Sequence, residues 1–325
     1  MAGVLVLLVD GSQEPKPADL EVVGAARRLA DDLGNQTVSV LVAGEQPSAA
    51  WAGEHGADRV LIAQASSSNP TSPDWFLVAA REAVHTVEPA VILLPHDAAG
   101  RDLGPRLAAR LDTGIVTDAT ALRVEDGRLV VTKPVFGGSA IGEFAIAASP
   151  QMATLRPRAF EQHAAPTSAR SAEEVVLSLP PVDSRVQVLE AVGGEVTTGP
   201  RLKDAKIIVS GGRGLGGPEN WHYVDELAEV LGAAVGATRA VTDAGWVPPS
   251  LQVGLTGVSV APDLYITIGI SGAVQHIAGI SGARNVVAIN RDRDANIFKY
   301  ARFGVVGDWK QIVPAFTERL KQLRE

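Results

Sequence analysis

Apolar residues along this 325-residue chain fall into short dense runs separated by longer stretches with helical spacing, and the alternation occurs twice. Residues 4–9, 37–42, 59–62 and 91–94 are too short for helices and rich in Val, Ile and Leu, as strands buried on both faces are. Between them, residues 20–33 and 73–87 place apolar side chains three and four apart, which predicts helices with one buried face. Gly34 stands where a left-handed residue would end the first of these helices. This order predicts a Rossmann-like α/β domain with a parallel sheet. Residues 121–131 break the pattern: two β-rich arms flank Glu125, Asp126 and Gly127, predicting a hairpin and a sheet that is mixed at one edge. Residues 160–184 are rich in Ala, Ser and Pro and read as a connector with one short strand at 175–179.

A glycine-rich stretch at 193–199, followed by Pro200, marks a second boundary, after which a new alternation begins. Strands are expected at 207–209, 264–268, 286–289 and near Val305, with helices at 220–231, 273–278 and 309–323. The chain therefore divides into an N-terminal α/β domain with its connector, residues 1–185, and a doubly wound C-terminal α/β domain, residues 190–325.

Composition narrows the chemistry. The net charge is −8, and Lys and Arg are not clustered, which argues against a nucleic-acid partner. The chain has no cysteine, so thiol catalysis, iron–sulfur ligation and cysteine-based zinc sites are excluded. None of the six histidines has metal-ligand spacing, and no metal is expected. The apolar N-terminus is too short to span a bilayer, and no later run is long enough, so membrane insertion is not expected and a cytoplasmic location is. Redox chemistry, if present, belongs to an organic cofactor.

Two strand-to-turn units in the second half carry candidate ligand chemistry. Gly212, Gly214 and Gly217 fit the GxGxxG dinucleotide fingerprint, between a strand and a helix, although a glycine-rich turn alone would fit the same spacing. An acidic ribose ligand is missing after the next strand, where Arg239 precedes Asp243. A cation there suits a 2′-phosphate, which keeps an NADP-dependent dehydrogenase as an alternative. No His, Tyr and Arg set for hydride transfer accompanies it, and no catalytic residue is assigned. The second unit is SGAVQH at 271–276. Ser271 and Gly272 fall where a strand gives way to a helix, so unpaired N–H groups there suit an anion. Trp221, Trp246, Trp309 and Tyr265 read as core aromatics, and Arg101, Asp102 and Arg106 as ordinary ion pairs rather than a second nucleotide site.

The segments IIVSGGRG (207–214), VGATRA (235–240), QVGLTG (252–257), LYITIGISGAVQH (264–276) and VAIN (287–290) resemble, in order and spacing, the electron transfer flavoprotein alpha subunit family. GRDLGPRLAARL (100–111) and PQMATLRP (150–157) agree more loosely, so the resemblance covers nearly the whole chain. It implies one FAD held by the C-terminal domain and a heterodimer with a beta subunit. It also implies an electron carrier, fed by flavin dehydrogenases such as acyl-CoA dehydrogenases and drained by a quinone reductase or another acceptor. A bifurcating variant, with a second FAD and NADH as donor, is the alternative within the family.

Carried over by position, the cofactor-binding residues are Arg213, Thr238 and Arg239; Val253, Gly254, Leu255 and Thr256; Ser271, Gly272, Ala273, Val274, Gln275 and His276; and Asn290 and Asp308. Ser271 and Gly272 suit the pyrophosphate, Asn290 and Asp308 the adenosine end, Arg239 and His276 the flavin pyrimidine ring, and Thr256 the flavin N5. Leu255 departs from the family's VGQTG, which removes an amide from that position. Thr238 replaces a frequent Ser and keeps its hydroxyl.

Overall fold

The computed structural model describes residues 3–9, 14–48, 50–66, 71–138, 140–163, 172–184, 186, 200–203 and 205–324. The glycine-rich stretch expected as a boundary at 193–199 lies outside the described residues. Two compact units divide the chain, residues 1–135 with 140–192 and residues 136–139 with 193–325.

In the first unit the chain runs through β1 (Val4–Leu8), α1 (Pro17–Asp32), β2 (Val38–Gly44), α2 (Ala50–Glu54), β3 (Arg59–Gln64), α3 (Pro73–Val87), β4 (Val91–Pro95), α4 (Ala98–Arg110), β5 (Ile115–Ala119), β6 (Ala121–Glu125), β7 (Arg128–Val135), β8 (Ala140–Ala145), β9 (Gln151–Leu155) and β10 (Glu173–Val176). Seven strands form one sheet in the order β10-β3-β2-β1-β4-β9-β5, and every pairing is parallel. Alternate residues of β1 feed opposite cores. Val4, Val6 and Leu8 pack with α1, and Leu5 and Leu7 with Trp75 of α3 and Leu107 of α4.

The hairpin forms as expected, with Asp126 at φ 49° and Gly127 at φ 73° in its turn. The expected mixed edge does not form. β6, β7 and β8 build a separate antiparallel sheet of three strands, and the chain then returns through β9, which slots in parallel between β4 and β5. A hairpin that finds a third antiparallel partner has no need of the main sheet's edge. The connector strand sits at Glu173–Val176, slightly earlier than its apolar run suggests.

The second unit contains β11 (Ile207–Gly211), α5 (His222–Leu231), β12 (Ala234–Ala237), α6 (Arg239–Thr242), β13 (Leu264–Ile268), α7 (Val274–Ile280), β14 (Val286–Asn290), β15 (Phe303–Val306) and α8 (Trp309–Arg324). The five strands are all parallel, in the order β12-β11-β13-β14-β15. Val224 and Leu227 of α5 and Trp309 and Val313 of α8 cover one face. Ile277 and Ile280 of α7 cover the other, against Ile208 and Tyr265. The sheet is therefore doubly wound, and the winding reverses between β11 and β13.

Bare backbone makes that reversal possible. Gly214 N–H donates to the Gly269 carbonyl at 3.0 Å, and Gly212 N–H to the Ile268 carbonyl at 2.9 Å. A Cβ on Gly212 would stand 2.4 Å from the Gly269 oxygen. Gly269 itself has φ 65°, a left-handed conformation that costs an L-residue about 1–2 kcal/mol. Gly269→Ala combines that strain with a Cβ 2.8 Å from the Gly214 carbonyl carbon. Loss of at least about 2 kcal/mol of stability is expected, and denaturant unfolding will measure it.

Candidate functional site

Because the strands of the second sheet are parallel, the segments that follow them all emerge at one edge. Arg213 follows β11, Thr238 caps α6 after β12, Ser271 and Gly272 follow β13, Asn290 ends β14, and Asp308 follows β15. The fold thus brings together, along one sheet edge, candidates that lie almost a hundred residues apart in sequence.

The segment 253–257 belongs to the long connection between β12 and β13, and backbone contacts bring it to the same edge. Val253 N–H donates to the Ala237 carbonyl at 2.9 Å, and Leu255 N–H to the Gln275 carbonyl at 2.7 Å. Gly254 lies against α7 so closely that a Cβ on Gly279 would be 2.4 Å from its Cα. Leu255 and Val274 project outward, 66 % and 57 % exposed, although both are apolar.

Polar groups at this edge are set for a ligand. Among the described residues, the N–H groups from Ser271 to Gln275 have no backbone acceptor. The Thr238 hydroxyl is buried and lacks a hydrogen-bond partner. Arg213 is exposed, and Arg239 Nε forms an exposed ion pair with Asp243 at 3.1 Å. Asn290 and Asp308 are partly committed to the fold: Asn290 Nδ2 donates to the Ile270 carbonyl at 2.9 Å, and Asp308 Oδ1 accepts from Lys310 N–H at 3.0 Å at the start of α8.

The His276 ring lies in the interior, 6 % exposed, with Nδ1 3.1 Å from the Val253 carbonyl and Nε2 3.1 Å from the Tyr265 hydroxyl. A carbonyl only accepts, so Nδ1 carries the proton and Nε2 accepts from the phenol. Burial pushes the imidazole down to about 4, partly opposed by the Val253 carbonyl, and it also raises the Tyr265 phenol. A neutral histidine with both nitrogens engaged has no side-chain atom left for the pyrimidine ring. Its task is to hold the 253–257 segment against β13.

Of the two readings left open for Gly212, Gly214 and Gly217, the local geometry favours the glycine-rich turn. The segment after β11 makes short 3₁₀ turns at Arg213–Leu215 and Pro218–Asn220, and α5 begins only at His222. Glu219 lies over the third glycine, with a carboxylate oxygen 2.3 Å from where a Gly217 Cβ would be. A pyrophosphate seat needs N–H groups of a helix start, not a carboxylate. Gly212 and Gly214 serve the contact with Gly269 instead. Tyr265, Trp221 and Trp309 are core residues, as expected. Arg106 is held by Asp74 and, at 3.1 Å, by Asp102. Among the described residues no group of three His, Asp or Glu could hold a metal, and no helix is long and apolar enough to cross a membrane.

Sequence reasoning passed over Tyr265, Thr242 and Gln252 as site residues. Tyr265 was legible as core, but its pairing with His276 arises only when the turn after β13 folds α7 back onto the sheet. Thr242, at the end of α6, and Gln252, in the connection that follows, are joined by a hydrogen bond of 2.8 Å, which no local pattern announces.

Fold and site together define a two-unit α/β protein whose second unit presents a nucleotide-type ligand edge at its strand reversal. Residues 4–182 match the electron transfer flavoprotein domain, and residues 201–281 match the electron transfer flavoprotein FAD-binding domain. The chain is 40 % identical to an electron transfer flavoprotein subunit alpha of Bacillus subtilis (strain 168), over 98 % of both chains. It is 38 % identical to a Protein FixB of Clostridium saccharobutylicum, over 99 % of this chain and 97 % of that one. A Protein FixB of Azotobacter vinelandii is also 38 % identical, over 94 % of this chain and 87 % of its own length. The chain belongs to the electron transfer flavoprotein alpha subunit family.

The depressed His276 gives a pH prediction with a definite sign. Unfolded, the ring titrates near 6.5; folded, near 4, so the unfolded chain binds the extra proton between these values. This contribution is fully present above pH 6.5, is lost as pH falls through that window, and levels off below about 4. Its size is on the order of 3 kcal/mol. Urea unfolding from pH 7 to pH 4 should show a slope that is shallower in His276→Asn, after the common carboxylate titration is subtracted as the difference between the two proteins.

Proposed function

We propose that the C-terminal unit holds one FAD and that the chain works, paired with a beta subunit, as an electron carrier. The observation that carries this reading is the convergence at the strand reversal of an orphaned Thr238 hydroxyl, unpaired N–H groups at 271–275 and exposed apolar Leu255 and Val274. The donor set fits the cofactor: N–H groups suit a pyrophosphate, and apolar side chains left in water suit the face of a planar ring. FAD supplies reversible uptake and release of electrons when bound.

The chain's own residues do the rest. Ser271 and Gly272 offer backbone donors to the pyrophosphate, Thr238 its hydroxyl, and Arg213 and Arg239 positive charge. Leu255, Val274 and Ala273 offer contact surface, with Val253, Gly254 and His276 supporting it from below, and Thr256 a hydroxyl to the flavin. The free carboxylate oxygen of Asp308 and the strand-end position of Asn290 suit the adenosine end. Flavin dehydrogenases such as acyl-CoA dehydrogenases are the proposed donors, and a quinone reductase or a comparable acceptor receives the electrons. Purification with a beta subunit, followed by release and counting of flavin, tests this. One FAD per heterodimer is expected; two would indicate the bifurcating form, and a flavin-free pair that binds NADPH would return the dehydrogenase reading.

Arg239 tunes the cofactor in this reading. A guanidinium keeps its charge and favours the added electron density of the reduced ring. Its exposure and its pairing with Asp243 screen that charge. Arg239→Ala should therefore lower the flavin potential by about 40 mV per electron, equivalent to about 1 kcal/mol, while FAD stays bound. Redox titration of the variant complex measures this, and an unchanged potential at full occupancy would show that Arg239 points away from the ring.

A further inference from the structure

Gln252 stands between two threonine hydroxyls. Its Oε1 is 2.8 Å from Thr242 Oγ1, and its Nε2 donates to Thr256 Oγ1 at 3.0 Å. The Gln252 backbone is fixed on both sides: its N–H donates to the Pro249 carbonyl at 3.0 Å, and its carbonyl accepts from Val258 N–H at 2.7 Å. Only the side-chain amide is left to turn.

Thr242 makes such a turn chemically meaningful. Its hydroxyl lies 3.0 Å from the Arg239 carbonyl as well as 2.8 Å from Gln252 Oε1, yet it has one proton for these two acceptors. With the amide turned end for end, Nε2 donates to Thr242, Thr242 donates to the Arg239 carbonyl, and Oε1 accepts from Thr256. The heavy atoms keep their places, since amide oxygen and nitrogen are nearly the same size. The two arrangements differ in where the Thr256 proton goes. In the first, Thr256 receives from Gln252 and its own proton points outward; in the second, its proton points inward and a lone pair faces outward.

We propose that Thr242, Gln252 and Thr256 form a reversible hydrogen-bond relay that lets Thr256 present a donor to the oxidised cofactor and an acceptor to the reduced one. The proposal rests on the FAD reading above. It answers a chemical need: the central-ring nitrogen of a flavin accepts a hydrogen bond when oxidised and carries a proton when reduced. No proton leaves any of the three residues. One amide makes a half-turn and two hydroxyls rotate, while electrons come from the redox partner and the cofactor's proton from solvent. Gln252 is a positioning residue, acting on the cofactor through Thr256.

A double-mutant cycle on the FAD-loaded heterodimer tests this. Gln252→Glu is acceptor-only and holds the Thr256 proton inward; the same change in a Thr256→Val background reports its charge alone. The measured quantity is the ratio of affinities for reduced and oxidised FAD, obtained from the potential. With Thr256 present, Gln252→Glu should favour the reduced form about five- to tenfold more than it does in the Thr256→Val background. Equal shifts in both backgrounds overturn the relay. A wild-type complex that releases no flavin would instead sink the FAD reading. The relay is then decided in the FAD-free chain, where Thr242→Val should speed hydrogen exchange of the Gln252 side-chain amide several-fold; unchanged exchange overturns it.

Discussion

Two backbones touch where the C-terminal sheet reverses its winding, and the site depends on that touch. Gly214 donates to the Gly269 carbonyl, while its own carbonyl accepts from Trp309 Nε1 at 3.0 Å. One residue without a side chain therefore links the loop after β11, the loop after β13 and the last helix. Any Cβ at 212 or 214 would separate the two loops, and the unpaired N–H groups at 271–275 would move away from Arg213. The reversal of a doubly wound sheet creates a crevice by topology alone. Close glycine packing determines how narrow it is.

Beneath that edge the protein is neutral, and its charges sit at the rim. His276 is kept uncharged by burial and by having both nitrogens occupied. Its two bonds tie a strand residue, Tyr265, to Val253 at the head of the loop that carries Leu255 and Thr256. Replacing a hydrogen-bonded buried imidazole by an apolar group would leave the phenol and the carbonyl unsatisfied, a penalty of about 1–3 kcal/mol for each. Arg213, Arg239 and Asp308 remain in solvent, where their charge costs little to maintain and responds to salt. Among the described residues, this edge thus combines a neutral buried floor with a charged exposed rim.

How much of this could be read from residues alone depended on how local each signal was. α3 and β13 run as expected, Pro73–Val87 and Leu264–Ile268, because helical spacing and a β-rich run act within one segment. The strand Gln151–Leu155 was missed, since its polar first residue and lone methionine give no strand pattern, and parallel neighbours on both sides complete it. The family motifs single out Ser271, Gly272 and Thr238, and among the described residues the structure leaves the N–H groups of the first two and the hydroxyl of the third without a protein partner. They did not reveal which way a side chain turns. His276 looked like a ligand because it follows a glycine-rich turn, yet the same turn starts a helix that carries its ring inward. GxGxxG stayed open for a related reason: glycines that allow close backbone approach have the same spacing whether the approaching object is a phosphate or another loop.

Leu255 shows how position and chemistry separate in this site. The residue replaces the amide usual in VGQTG, but the loop is held through its backbone, by Leu255 N–H on the Gln275 carbonyl at 2.7 Å and by Gly254 against Gly279. The substitution therefore leaves the loop where it is and changes only what the loop offers. An amide would bring donors and an acceptor; leucine brings apolar surface that is 66 % exposed. Covering such a side chain is worth about 1.5–3 kcal/mol at most, in proportion to the area removed from water. That gain is non-directional, so it favours a flat apolar face without fixing its orientation. The directional groups nearby are the Thr256 hydroxyl, which accepts from Gln252 Nε2 at 3.0 Å, and the N–H groups at 271–275, so in the proposed site orientation falls to them and not to residue 255.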